Sequence, residues 1–177
     1  MGTKISRSVI IAKIMFEWDI LGCDNIRELC IGFSPKILRW LGAHHPDNKT
    51  RKIFYELTNV SIGEGTVINQ NFIVSDNYNK LLFIGERVAI SPNVTIICVS
   101  GPNNSSLANN EYVKNKLIVT KKVIIENDCW VGSNVVILPG IRIGKESIVG
   151  AGSIVTKDIE NKSIYSGAPA KLIRRLI

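Results

Sequence analysis

Side chains able to do chemistry are few and unevenly placed in this chain. The only two histidines, His44 and His45, are adjacent and precede Pro46. An imidazole can serve as a general base or a metal ligand. A His-His pair ahead of proline also reads as a polar turn. The cysteines are Cys23, Cys30, Cys98 and Cys129. They form no Cys-x-x-Cys pair and no histidine spacing accompanies them, so no metal site is expected. They read as reduced thiols in a cytoplasmic protein. Positive charge is plentiful, with 22 Lys+Arg against 15 Asp+Glu and a net charge of +7. Such a balance favours an anionic partner: nucleic acid, an acidic membrane surface or a phosphate-bearing small molecule. Composition alone does not choose among the three.

Elements must hold these groups in place. The 177 residues allow one domain with a small appendage. An apolar fraction of 45% excludes disorder for most of the chain. No apolar run is long enough to span a bilayer. Met1-Gly2-Thr3-Lys4-Ile5-Ser6 formally fits the start of a myristoylation motif, a pattern short enough to arise by chance. Ser8–Ile20 is apolar but broken by Lys13, Glu17 and Asp19, which suits an amphipathic helix better than a signal peptide. A second helix is expected over Asn25–Leu41, capped by Asp24 or Asn25, interrupted near Pro35 and stopped at Gly42. His44-His45-Pro46-Asp47 is expected to turn.

From about residue 58 the sequence repeats with a period of six. Ile62, Ile68 and Val74 form one series, and Ile84, Ile90 and Ile96 a second. Ile125, Val131, Ile137, Ile143, Val149 and Val155 form a third. Four residues after most of these stands a second inward candidate, such as Phe72, Val94, Cys129 or Val135. A hexad holds one short strand and one corner. A single unit cannot bury its apolar side, so hexads must stack into a solenoid, three to a coil. A parallel β-helix is the expected fold. A break at Asp76–Lys80 shifts the first series, and Gly101–Asn110 lies in a loop excursion spanning about residues 97–120. Long ordered loops in compact domains are disproportionately functional. The solenoid's open ends need caps. The helical leader, residues 1–57, and a short C-terminal helix within 168–177 are expected to supply them around a coil domain of residues 58–167.

The hexads, the loop and the closing Gly150-Ala151-Gly152-Ser153-Ile154-Val155-Thr156-Lys157-Asp158 … Ser166-Gly167-Ala168-Pro169-Ala170-Lys171-Leu172-Ile173-Arg174 resemble the hexapeptide-repeat acyltransferases. The branch they resemble contains the galactoside, maltose and polysaccharide O-acetyltransferases. That resemblance implies a left-handed coil and a homotrimer with active sites between subunits. It also implies acetyl-CoA as donor and a sugar hydroxyl as acceptor. Trp130-Val131-Gly132-Ser133 matches a stretch whose Trp lines the reaction tunnel and whose Ser meets the cofactor arm. Ala151 matches a position whose backbone meets the pantetheine amides. Thr156, Lys157 and Arg174 match positions at the nucleotide end. Asn69, Asn71 and Asp76 match a stretch that holds the acceptor, although Asn is also common at solenoid corners.

The resemblance fails at one place. The family's general-base histidine stands in a Gly/Ser-His-Pro triplet, and here the triplet is Ser100-Gly101-Pro102. Glycine cannot accept a proton. Asp76 is the carboxylate expected nearby, and His44 or His45 could reach in from a neighbour's leader. Two readings follow: an acetyl-CoA-dependent O-acyltransferase acting on a saccharide, or a non-catalytic CoA- or sugar-binding relative. A zinc carbonic anhydrase of the same repeat needs three histidine ligands, and this chain has two histidines in all. No nucleic-acid-reading motif appears, so nucleic acid is not an expected partner. The leader, with nine basic against five acidic residues over positions 1–52, leaves peripheral membrane association open.

Overall fold

A computed structural model describes residues 6–177. The myristoylation-like start falls largely outside those residues. Five helices open the chain: α1 (Arg7–Phe16), α2 (Trp18–Leu21), α3 (Cys23–Leu29), α4 (Pro35–His44) and α5 (Asn48–Glu56). Ser6, Ser34 and Asp47 cap α1, α4 and α5 through side-chain oxygens. The helix expected over Asn25–Leu41 is two helices, because Pro35 starts a new one at its first turn. Ile14, Ile26, Leu38, Leu41, Ile53 and Phe54 bury against one another as the leader's own core.

The hexads then wind a three-sided solenoid. Its first turn is β1 (Ser61–Ile62), β2 (Val67–Ile68) and β3 (Ile73–Ser75). The second is β4 (Leu82–Ile84), β5 (Ala89–Ile90) and β6 (Thr95–Ile97). The chain leaves at β7 (Val99–Ser100), passes a 3-10 turn and α6 (Glu111–Lys116), and returns at β8 (Val119–Thr120), antiparallel to β7. The third turn is β9 (Val123–Ile125), β10 (Trp130–Val131) and β11 (Val136–Ile137). The fourth is β12 (Arg142–Ile143), β13 (Ile148–Val149) and β14 (Ile154–Val155), followed by β15 (Ser163–Ser166) and β16 (Lys171–Arg175). Each face is a parallel sheet of one strand per turn: β1-β4-β9-β12, β2-β5-β10-β13-β15 and β3-β6-β11-β14.

Inward positions follow the six-residue period. Ile68, Ile90, Val131 and Val149 stack on one face, and Ile96, Ile137 and Val155 on the next, all buried. Corners need left-handed backbone, which Asn tolerates better than most residues. Asn71, Asn93 and Asn134 supply it on successive turns, followed by Gly152.

The open first turn is closed by the leader. Both backbone groups of Ile68 are satisfied from α5: its N–H donates to Asn48 Oδ1 at 2.7 Å, and its carbonyl accepts from Arg51 Nε at 2.8 Å. The Asn71 N–H donates to the Ala43 carbonyl at 2.7 Å. Tyr55 enters the coil core and its hydroxyl donates to the Phe72 carbonyl. At the other end the expected C-terminal helix is replaced by β16. The last coil strand, β15, presents an unpaired edge, and an antiparallel strand satisfies those N–H and C=O groups where a helix would not.

Candidate active site

The expected site residues fall on two corners of the prism. The first lies between the β2-β5-β10-β13 face and the β3-β6-β11-β14 face. It consists of residues 69–71, 91–93, 132–134 and 150–152 from four successive turns. Asn69, Asn71, Ser133 and Ala151 are therefore gathered along one edge. The Ser133 carbonyl accepts from Gly152 N–H at 2.8 Å, which makes the Ser133 and Ala151 segments adjacent rungs. Trp130 stands on the outer face beside them, 55% exposed, with its indole N–H donating to Ser91 Oγ at 3.4 Å.

Backbone contact at this corner is tight. A Cβ at Gly132 would lie 2.6 Å from Ala151 N, so no side chain fits between those two turns. A Cβ at Gly152 would meet nothing within 4 Å, so the backbone there faces open space. An amide-bearing ligand arm can lie along such an edge. Arg174 belongs to the same face, because β16 pairs Arg174 with Ile164, which pairs with Ile148, which pairs with Trp130. Three strand spacings of ~4.8 Å put the two about 14 Å apart.

Thr156 and Lys157 lie elsewhere. They follow β14 at the next corner, where the excursion also departs, and both are exposed. Within one chain the width of the third face separates them from Ala151. Gly101, at the root of the excursion, is exposed, and a Cβ added there would meet only the Ile118 side chain, at 3.7 Å.

Asp76 is held at the joint between leader and coil. It is 1% exposed. Its Oδ2 accepts from Arg39 Nη2 at 2.7 Å, and its Oδ1 accepts from Tyr78 N–H at 2.9 Å. Arg39 also donates to the Thr58 and Val74 carbonyls and lies over the Tyr55 and Tyr78 rings. The carboxylate is spent on joining α4 to the coil rather than facing an acceptor. Asn71 likewise serves the corner, donating its side-chain amide to Asn93 Oδ1 at 3.0 Å. Asn69 donates to the Ile90 carbonyl at 2.9 Å, which leaves its Oδ1 as a free acceptor.

The two histidines part company. His45 is fully buried, and its Nδ1 accepts from Asp47 N–H at 3.1 Å while Nε2 faces the Ile14 carbonyl at 3.0 Å. Both nitrogens are used, so His45 is a structural cap and not a base. His44 is exposed at the end of α4 and stacks on Trp40 at 5.0 Å between ring centroids. Burial pushes the thiols of Cys30, Cys98 and Cys129 up to about 11, so they offer no thiolate near neutral pH. Among the described residues no three His, Cys, Asp or Glu side chains gather as metal ligands.

The contacts of Arg39 and Trp40 were not legible in the sequence. The one signal was a guanidinium set within the apolar run Ile37-Leu38-Arg39-Trp40-Leu41.

A three-sided parallel solenoid of hexads, with a backbone-lined corner and a basic closing strand, defines a hexapeptide-repeat protein. A family model described as the hexapeptide repeat of succinyl-transferase matches residues 122–157. Galactoside O-acetyltransferase of Lactococcus lactis is 39% identical over 118 residues, which is 67% of this chain and 54% of that protein. The Escherichia coli galactoside O-acetyltransferase is 39% identical over 119 residues, 67% of this chain and 55% of that protein. A solved galactoside acetyltransferase in complex with coenzyme A is similar with a TM-score of 0.60 at 28% identity, covering 81% of this chain and 79% of that one. The chain is similar to hexapeptide-repeat acetyltransferases, with galactoside O-acetyltransferases among its relatives. It spans about half the length of the curated relatives it matches.

Proposed function

We propose that the chain is an O-acetyltransferase that moves an acetyl group from acetyl-CoA to a hydroxyl of a sugar or polysaccharide precursor. It works as a left-handed β-helix trimer with sites between subunits. The observation that carries this reading is the corner of Trp130, Ser133, Ala151 and Gly152. Indole, hydroxyl and open backbone lie there on adjacent rungs, on a face that ends in Arg174. Ser133 and the Ala151 backbone would hold the amide-bearing arm of coenzyme A, and Trp130 would wall the reaction channel. Arg174 and Lys157 would take the phosphates, since guanidinium and ammonium groups suit them. Thr156 and Lys157 stand one corner away from Ala151, so a site using both sets takes them from neighbouring subunits. When bound, acetyl-CoA supplies the activated acyl carbon. The chain's part is to orient it, exclude water and handle the acceptor's proton. Asn69 is left as the acceptor-side amide, with Asn71 supporting the corner beneath it.

The test is twofold. Calorimetry should show acetyl-CoA binding that weakens on Arg174→Glu. Thiol release should appear when acetyl-CoA is supplied with a galactoside or maltose. A chain that neither binds acetyl-CoA nor releases free CoA overturns the proposal. Gly101 favours a second reading, a non-catalytic binding relative; binding without any turnover would select it.

Association with a membrane surface rests only on the basic surplus of the leader. No helix among the described residues is long and apolar enough to cross a membrane.

A further inference from the structure

We propose that His44 is the general base for this chain's acyl transfer, acting from the leader on an acceptor seated at the first rungs of the Asn69–Asn71 corner. This rests on the O-acetyltransferase reading above.

The corner itself cannot supply a base. Its residues are Asn69, Gln70, Asn71, Ser91, Pro92, Asn93, Gly132, Ser133, Asn134, Gly150, Ala151 and Gly152, none of which has an ionisable side chain. A hydroxyl attacking a thioester needs its proton taken as the bond forms. An element docked on the corner can bring one. The leader is docked there through the hydrogen bond from Asn71 N–H to the Ala43 carbonyl, 2.7 Å, and His44 is the next residue.

The geometry of His44 suits the task. Its Nδ1 lies 2.7 Å from the Trp40 carbonyl, an acceptor only, so Nδ1 carries the hydrogen and Nε2 keeps its lone pair. The ring is exposed and stacks on Trp40 at 29° between planes, which limits its rotation. His44 is the last residue of α4. Trp40 is 54% exposed beside it, an apolar plate on which a sugar ring can lie.

Competing groups are committed. Arg39 of α4 holds Asp76, and Arg51 of α5 holds the Ile68, His45 and Pro46 carbonyls. Asp47 caps α5 through Thr50. The other charged groups on α4 and α5 are Lys36, Lys49, Lys52 and Glu56, and Glu56 pairs with Arg27.

The step balances as follows. His44 Nε2 takes the acceptor's O–H proton as that oxygen forms a bond to the thioester carbonyl carbon. The C–S bond breaks with its electron pair on sulfur, and the imidazolium returns the proton to that sulfur. The products are the acetyl ester and free CoA thiol.

The experiment compares wild type, His44→Ala and His44→Gln with acetyl-CoA and either a galactoside or maltose. Expected is a fall in kcat of about 100-fold or more in both variants, with KM for acetyl-CoA unchanged. Added imidazole should restore turnover to His44→Ala but not to His44→Gln. Variants within twofold of an active wild type overturn the role of His44 and leave the O-acetyltransferase reading intact. A fall in kcat matched by lost acetyl-CoA affinity, with no rescue, also overturns it. A wild type that turns over nothing overturns the underlying reading, and this proposal with it.

Discussion

Arg39 Nη2 lies 2.7 Å from Asp76 Oδ2, an ion pair whose side chains are 11% and 1% exposed. It links α4 to the end of β3 across 37 positions of sequence, and Tyr55 and Tyr78 flank the guanidinium. The pair is a joint between leader and coil, and it removes the one carboxylate that the sequence had offered as a base.

Breaking one side of that joint leaves a buried, uncompensated carboxylate. Arg39→Met is expected to lower stability by about 3–5 kcal/mol. Arg39→Met combined with Asp76→Asn should recover more than half of the loss, because no charge is then stranded. Urea unfolding of wild type, Arg39→Met, Asp76→Asn and the double variant closes the double-mutant cycle, and a strictly additive result would refute the coupling.

The glycines at rung contacts tolerate no side chain. A Cβ at Gly132 would sit 2.6 Å from Ala151 N, and one at Gly144 would sit 2.6 Å from Asn161 N, both backbone atoms. Gly132→Ala and Gly144→Ala should each cost about 1–3 kcal/mol. Gly152→Ala loses no space, since nothing lies within 4 Å, and meets only the strain of φ 71°. It should cost less than either, as thermal melting can establish.

Three thiols should report on pH. Burial raises Cys30, Cys98 and Cys129 to about 11, above the ordinary thiol value. The folded state therefore holds these protons more tightly than the unfolded state does. That contribution is complete below about pH 8.5 and is lost as pH rises toward about 11. Melting temperature should fall across this window. A thiol reagent at neutral pH should titrate exposed Cys23 first and the other three only on unfolding.

Gly101 offers a direct probe of the missing histidine. Its φ is not in the left-handed region and an added Cβ would meet only Ile118, at 3.7 Å. Gly101→His should fold with stability within about 0.5 kcal/mol of the parent. If His44 already serves as base, the substitution should raise turnover by less than tenfold. A rise of two orders of magnitude would show that the parent lacks a working base.

The coil was legible because its interior admits little besides branched aliphatics at every sixth position, as at Ile84, Ile90 and Ile96. Trp130, Ser133 and Ala151 were marked by the family resemblance, and the register accounts for their gathering on neighbouring rungs. Helix α5 was not legible. Asn48, Thr50 and Arg51 look solvent-facing in isolation, and they earn their burial only by meeting Ile68 and its neighbours in the coil. The final strand escaped for a similar reason: Lys171–Arg175 becomes extended because β15 offers an edge, which no local propensity records. The bond between Arg39 and Asp76 is non-local in the same way.

The corner column carries a further consequence. Asn93 and Asn134 are 41 positions apart, whereas Asn134 and Gly152 are 18 apart, yet all three occupy one edge. The winding closes behind the excursion as though its 23 extra residues had never been there, with β6 paired directly to β11. To the coil, that length of chain is an appendix. It can lengthen, shorten or change composition between generations while the rungs on either side keep their registry. The corner of Ser133, Ala151 and Gly152 is thereby insulated from whatever remodels the excursion. One coil can thus take on a different surface by editing a single span of polypeptide.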